Sequence, residues 1–88
     1  MVKANKHDYD SAIADYSAAI RMPDIPTDVK AMALYNRALA YNAIHEDAKA
    51  AEDLSAMLKM PGLSERMKKE ASQRRERIRR RDEKTDRP

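Results

Sequence analysis

The sequence predicts an all-α fold of antiparallel helix-turn-helix repeats, and three observations lead to that prediction. Apolar residues recur at intervals of three and four along most of the chain, which is the period of a helix face. No stretch alternates apolar and polar residues as a half-buried strand would. The segment 7–25 returns 38 residues later as segment 45–63, with identities at His7/His45, Ala12/Ala50, Asp15/Asp53, Ser17/Ser55, Ala18/Ala56, Met22/Met60 and Pro23/Pro61. A repeat of this length is typical of stacked-helix scaffolds and favours binding over catalysis.

The first helix is predicted over residues 8–22. Its apolar side chains fall on one stripe, which consists of Tyr9, Ala12, Ile13, Tyr16, Ala19 and Ile20. Asp8 is placed to cap the helix, and Pro23 ends it. The connector up to Pro26 cannot continue the helix, because a proline lacks the amide donor and restricts the residue before it.

The second helix is predicted over residues 27–43, with Thr27 as its cap. It carries two adjacent apolar stripes, so it should be contacted on two sides, as an inner member of a stack would be. One stripe contains Ala31, Leu34, Ala38 and Tyr41, and the other contains Met32, Tyr35, Leu39 and Asn42. The third helix is predicted over residues 46–60, with an inward face of Ala50, Ala51, Leu54, Met57 and Leu58.

Pro61 and Gly62 then interrupt the chain before a fourth helix, which is predicted over residues 64–81 and begins at Ser64. Ile78 is the only aliphatic residue after Ser72. Residues 1–81 are therefore expected to form a single helical domain, and residues 82–88 a disordered tail.

Composition and charge limit the classes of function. The chain has no cysteine, which excludes disulfides and thiolate metal sites, and no apolar run long enough to span a membrane. Residues 1–6 lack the apolar core of a signal peptide, so a cytoplasmic location is the default expectation. Residues 1–63 carry 7 basic and 9 acidic side chains, whereas residues 64–88 carry 11 and 6. The positive excess therefore lies in the last quarter of the chain.

No catalytic, cofactor or metal site is expected, and the chain is predicted not to be an enzyme. A single glycine leaves almost no scope for a phosphate-binding loop or a dinucleotide fingerprint. His7 and His45, the only histidines, have no second metal ligand close by in the sequence. Acidic pairs lie at helix starts, where they complement the helix dipole and need no catalytic role.

The second and third helices together resemble the tetratricopeptide repeat, a helix-turn-helix motif of 34 residues. With Leu34 at the fourth position of the motif, its other core positions fall on Ala38, Tyr41, Ala50, Leu54 and Met57, and only Met57 is unusual there. One period earlier, the second-helix positions fall on Ala12, Tyr16 and Ala19. The resemblance covers residues 7–63, and it implies a right-handed superhelical stack of four helices that binds proteins.

Four features depart from that family. First, the period is 38 residues and the proline comes one position early. Second, His7 and His45 stand where a glycine turn is usual. Third, Arg37 replaces a large aliphatic residue. Arg37 is therefore expected at an edge, with its charged end in solvent. The fourth departure is that the first helix of the first unit is missing. Either the chain is cut from a longer repeat protein, or its exposed first helix pairs with another molecule, for example in a homodimer.

The fourth helix is expected to cap the array. Its positions that correspond to Val29, Ala33 and Ala40 remain apolar, as Met67, Ala71 and Ile78. Its positions that correspond to Leu34, Ala38 and Tyr41 have become Ser72, Glu76 and Arg79. The helix thus keeps an apolar face toward the preceding helices and has no apolar face for a following helix to contact.

The resemblance implies a peptide-binding groove between the second and fourth helices. The groove residues on these helices would be Tyr35, Asn36, Leu39, Asn42, Gln73, Arg74 and Arg77, with Arg80 at a further matching position. Asn36 and Arg74 resemble part of a clamp for a C-terminal carboxylate, since an amide and a guanidinium can both donate to it. The expected partner is a protein or peptide, especially an acidic or carboxylate-bearing one.

Two other functions stay open. The arginine-rich segment 74–81 could neutralise nucleic-acid phosphates, although acidic residues interleave with it and no aromatic platform accompanies it. Alternatively, the first helix could serve a purely structural homodimer with no external ligand.

Overall fold

The computed structural model describes the backbone of residues 6–85 and the side chains of residues 6–80. Within this part of the chain the protein is all-α, with four helices and no strand: α1 (Lys6–Ile20), α2 (Thr27–Ala43), α3 (Asp47–Leu58) and α4 (Glu65–Thr85). Each of α2, α3 and α4 packs against the helix that precedes it in the sequence. None of these helices is long and apolar enough to cross a bilayer.

Prolines determine where α1 and α3 end. Both helices stop two residues earlier than predicted, and their last turns tighten to i→i−3 hydrogen bonds. The Met22 amide donates to the Ala19 carbonyl, and the Met60 amide donates to the Met57 carbonyl in the same way 38 residues later. The cause is that a residue before proline is disfavoured in the α conformation.

The helix starts differ in part from the predictions. Pro26, and not Thr27, occupies the cap position of α2, where no side-chain cap bond forms. Asp8 lies inside the first turn of α1, which begins at Lys6. Ser64 does cap α4, since its hydroxyl accepts the Met67 amide at 3.2 Å.

The fourth helix extends to Thr85, four residues beyond its predicted end at Arg81. No proline or glycine occurs between Gly62 and Pro88, and Glu83 and Lys84 are good helix formers, so no helix breaker ends the helix at Arg81. The start of the predicted disordered tail is therefore helical, while residues 86–88 lie outside the described part of the chain.

The core is thin and rich in alanine. Leu54 and Met57 of α3 are its largest fully buried side chains. Ala31, Ala38, Ala50 and Ala71 have no exposed surface, which allows the helices to approach closely. The core cluster comprises Ala31, Leu34, Ala38, Ala50, Leu54, Met57, Leu63, Ala71 and Ile78. In contrast, α1 contains no fully buried residue.

The two faces of α4 differ as the repeat predicts. Ala71 and Ile78 are buried in the core and Met67 is half-buried. The side chains on the other face, Ser72, Glu76 and Arg79, are exposed. The structure thus confirms which side of α4 contacts the preceding helices.

The turn between α2 and α3 depends on a left-handed residue. His45 has φ of 65°. Its amide donates to the Asn42 carbonyl at 3.1 Å, and the Glu46 amide donates to the Tyr41 carbonyl at 2.8 Å. These two bonds form a Schellman motif, which satisfies the last carbonyls of α2. The predicted left-handed turn is therefore present at His45, whereas His7 lies in the first turn of α1.

Comparing two variants at this turn isolates the backbone strain. His45→Gly should be more stable than His45→Ala by about 1 kcal/mol, because both lack the imidazole and only alanine has a Cβ that disfavours positive φ. In the interior of α1, where the φ is helical, Ala14→Gly should lose about 1 kcal/mol. Urea unfolding followed by circular dichroism measures both differences. A glycine that is no better than alanine at position 45 would contradict the strained turn.

Candidate functional site

A surface groove lies between α2 and α4. Tyr35 lines it from α2, and Glu70, Gln73, Arg74 and Arg77 line it from α4. Its volume is about 190 Å³ and it is open to solvent. We call it the basic groove. It brings together four of the seven residues predicted to bind a peptide.

The second groove lies between α1 and α2, and it contains two more of the predicted residues. Asn36 and Leu39 line it from α2. Its volume is about 320 Å³, and its remaining lining consists of Tyr9, Ala12, Tyr16, Ala40 and Ala43. We call it the α1–α2 groove. The single groove predicted between α2 and α4 is therefore divided into two.

Helix geometry explains why the predicted set separates. Adjacent residues of an α-helix point about 100° apart, since a turn contains 3.6 residues. Tyr35 consequently lies toward α4, while Asn36 lies toward α1. Asn36 and Arg74, the two residues suggested as parts of a carboxylate clamp, line different grooves.

Asn42, the seventh predicted residue, lines neither groove. Its side-chain amide donates to the Asp47 carboxylate at 2.9 Å, which links the last turn of α2 to the first turn of α3. The contact supports the turn at His45, so the structure gives Asn42 a place in the fold. The position of Asp47 could be predicted from the sequence, because an acidic residue is favoured in the first turn of a helix.

The charged side chains of α4 fall into two groups. Glu76 lies within 4.0 Å of Arg79 and within 3.5 Å of Arg80, and Glu70 lies 3.8 Å from Arg66. Among the side chains described, residues 6–80, none forms an ion pair with Arg74 or Arg77. These two guanidinium groups are therefore available to a ligand of the basic groove.

The one buried charged cluster among the described side chains centres on Arg37. Its Nε and Nη2 atoms donate to the two carboxylate oxygens of Asp53, at 2.8 and 2.6 Å, and its Nη1 atom donates to the Ser17 hydroxyl at 3.0 Å. The Arg37 side chain is 20% exposed and that of Asp53 is 8% exposed. Arg37 thus joins α1, α2 and α3, and the prediction that it lies at an edge is wrong.

Its partners keep Arg37 charged. The hydrogen bond with Asp53 raises the pKa of the Arg37 guanidinium, which outweighs the lowering effect of burial. A raised pKa means that the stabilisation is fully present below the ordinary arginine value and is lost only as pH rises through the raised one. The guanidinium also lies 5.7 Å from the centre of the Tyr41 ring. Because these donors are satisfied, the cluster links α1, α2 and α3.

The Ser17 contact recurs at the other end of the molecule. Arg75 Nη1 donates to the Ser55 hydroxyl at 3.2 Å, and both residues lie 38 positions after Arg37 and Ser17. The same serine and arginine thus recur at the 38-residue spacing, and in both places they make the same bond between a helix and its successor. Both pairs are identical at the 38-residue spacing, so the sequence alone contains the repeat. Only the structure shows that the serine and the arginine are in contact.

Comparison with protein-family models, with curated proteins and with solved structures finds no match to this chain. The tetratricopeptide resemblance therefore stays a prediction that rests on the residues named above. The residues described include no group of three or more histidine, aspartate or glutamate side chains placed to hold a metal ion.

Removing one partner of the buried ion pair should be costly. Asp53→Ala should lower the free energy of unfolding by about 3 kcal/mol, because it leaves a mostly buried guanidinium without its carboxylate. The double variant Arg37→Met/Asp53→Leu should lose less than this, since no charge is left unpaired.

The matched control is Glu76→Ala, which removes the partner of two exposed arginines and should cost less than about 0.5 kcal/mol. Urea unfolding of the four proteins measures the differences. An Asp53→Ala variant that loses no more stability than Glu76→Ala would show that the buried pair does not hold the helices together.

Proposed function

We propose that the protein is a non-enzymatic binding module that holds an acidic peptide segment in the basic groove. One observation supports the proposal above all. Arg74 and Arg77 line the same open groove as Tyr35, and neither forms an ion pair with another described side chain. The neighbouring Arg79 and Arg80 lie beside Glu76, which partly neutralises them.

The groove has the chemistry that an acidic segment requires. A guanidinium can donate two parallel hydrogen bonds to one carboxylate, and such charge-assisted bonds are stronger than neutral ones. Gln73 can donate to, or accept from, the peptide backbone. Tyr35 offers an apolar ring beside these polar groups, as binding surfaces often do. The groove thus combines charge recognition with apolar contact.

Glu70 makes the two ends of the basic groove differ in charge. It precedes Arg74 by one helical turn and Arg77 by two, so the groove is acidic at one end and basic over the rest. Like charges repel, and an acidic peptide should therefore place its carboxylates at Arg74 and Arg77 and a neutral or basic residue at Glu70.

Titration of the chain with a short fluorescein-labelled, glutamate-rich peptide tests this function. Arg74→Gln/Arg77→Gln should weaken binding about tenfold or more, because each substitution removes a charge-assisted hydrogen bond. Glu70→Gln should strengthen binding, because it removes the like charge. Fluorescence anisotropy at fixed, low ionic strength gives the dissociation constants.

The control variant is Arg79→Gln/Arg80→Gln, which removes the same charge from the same helix outside the groove. It should leave peptide binding within about twofold of the original, since exposed charges contribute little at a distance. Equal losses in the two double variants would contradict a defined groove. A labelled single-stranded oligonucleotide tests the nucleic-acid alternative, and tighter binding of the oligonucleotide than of the peptide would favour it.

A further inference from the structure

The 38-residue period relates two parts of the structure to each other. The bond from Arg37 to Ser17 joins α2 to α1, and the bond from Arg75 to Ser55 joins α4 to α3. The last turns of α1 and α3 also close with the same hydrogen bond, one period apart. Each residue of α1 can therefore be compared with the residue of α3 that lies 38 positions later.

On α3, the compared face is covered by α2. Ala50 and Leu54 have no exposed surface, and they belong to the same core cluster as Leu34 and Ala38 of α2. Between them Asp53 is 6% exposed and receives both hydrogen bonds from Arg37. The helix that covers this face of α3 is α2, in which Arg37 follows Leu34 by three residues and directly precedes Ala38.

On α1, the same face is open. Ala12 and Tyr16, which correspond to Ala50 and Leu54, are only half-buried and line the α1–α2 groove of about 320 Å³. Asp15, which corresponds to Asp53, is exposed, and no side chain of residues 6–80 forms an ion pair with it. Asp15 directly precedes the groove residue Tyr16 in α1, and its counterpart on α3 is paired with arginine.

We propose that the α1–α2 groove binds an amphipathic helix with the apolar and basic pattern of α2. Its leucine and alanine would contact Ala12 and Tyr16, as Leu34 and Ala38 share the core with Ala50 and Leu54. Its arginine would pair with Asp15, as Arg37 pairs with Asp53. The partner chemistry is thus an α-helix with a leucine, a basic residue three positions later and a small residue next to it.

This occupant differs from the ligand of the basic groove in structure and in charge. In the basic groove, Tyr35 faces Arg74 and Arg77, so an acidic segment suits it. The positions in α2 that correspond to Arg74 and Arg77 are Asn36 and Leu39, which line the α1–α2 groove and carry no charge. With Asp15 as the adjacent charge, the α1–α2 groove favours an apolar helix with a basic residue.

A synthetic peptide with the sequence of residues 27–43, blocked at both ends, is a suitable probe, because it carries the proposed pattern. Added to the full chain, it should shift the NMR signals of Tyr9, Ala12 and Tyr16. Asp15→Asn should weaken its binding about tenfold, through loss of a charge-assisted pair. Asp10→Asn removes the same charge from an exposed position of α1, and it should change binding by less than about twofold.

A second peptide, with methionine in place of its arginine, completes a double-mutant cycle. It should bind the unchanged chain about tenfold more weakly, and Asp15→Asn should cause little further loss. Equal effects of Asp15→Asn and Asp10→Asn, or independent effects of the two changes, would overturn the proposed pairing. Absence of peptide binding, or shifts confined to Leu54 and Met57 because the peptide has displaced α2, would overturn the proposed site.

Sedimentation of the chain alone tests a different occupant. A monomer that binds the peptide supports the proposal. A dimer that dissociates when the peptide is added would mean that a second copy of the chain covers this face, and it would overturn the assignment to a separate helix. Because Asp15 is exposed, Asp15→Asn should keep the helical circular dichroism of the original chain, so a loss of binding reports on the interface.

Discussion

The arrangement of the helices depends on the contact of Arg37 with Asp53 and Ser17. This one side chain bonds to both neighbours of α2, and it fixes the rotation of α2 about its own axis. That rotation directs Tyr35 toward α4 and Asn36 toward α1, so the positions of both grooves follow from it. A bidentate guanidinium–carboxylate pair suits this task because its geometry is planar and restricted. An aliphatic residue at position 37 would fill space without specifying an orientation.

The composition of the core explains why the surface grooves are shallow. Alanines without exposed surface lie where the helices meet, and the largest fully buried side chains are a leucine and a methionine. Small residues bring helix backbones close together and leave little internal volume for a ligand. The basic groove and the α1–α2 groove both lie along junctions between helices. Three of the four tyrosines lie at these junctions: Tyr35 lines one groove, and Tyr9 and Tyr16 line the other.

The sequence predicts the four helices much better than it predicts the arrangement of the grooves. The four helices and their connectors follow from helix periodicity and from Pro23, Pro26 and Pro61, whose effects on the chain are local. The buried face of α4 follows from comparison with α2 one period earlier. The division of the groove does not follow, because it depends on how α2 is rotated between its neighbours. That rotation is set by Arg37, whose partners Ser17 and Asp53 are 20 and 16 residues away. Such contacts are tertiary, and helix periodicity does not contain them.

The exposed polar face of α4 also bears on self-assembly. An interface between the front of one subunit and the back of the next is heterologous, and unless it closes into a ring it generates an open filament. The half-buried apolar face of α1 would invite such growth if α4 presented a matching apolar face. It presents Ser72, Glu76 and Arg79 instead. Head-to-tail stacking would bury these polar groups without partners, which is costly. Within the described residues, α1 and α4 thus present unlike faces, and this mismatch opposes stacking of α4 of one molecule on α1 of another.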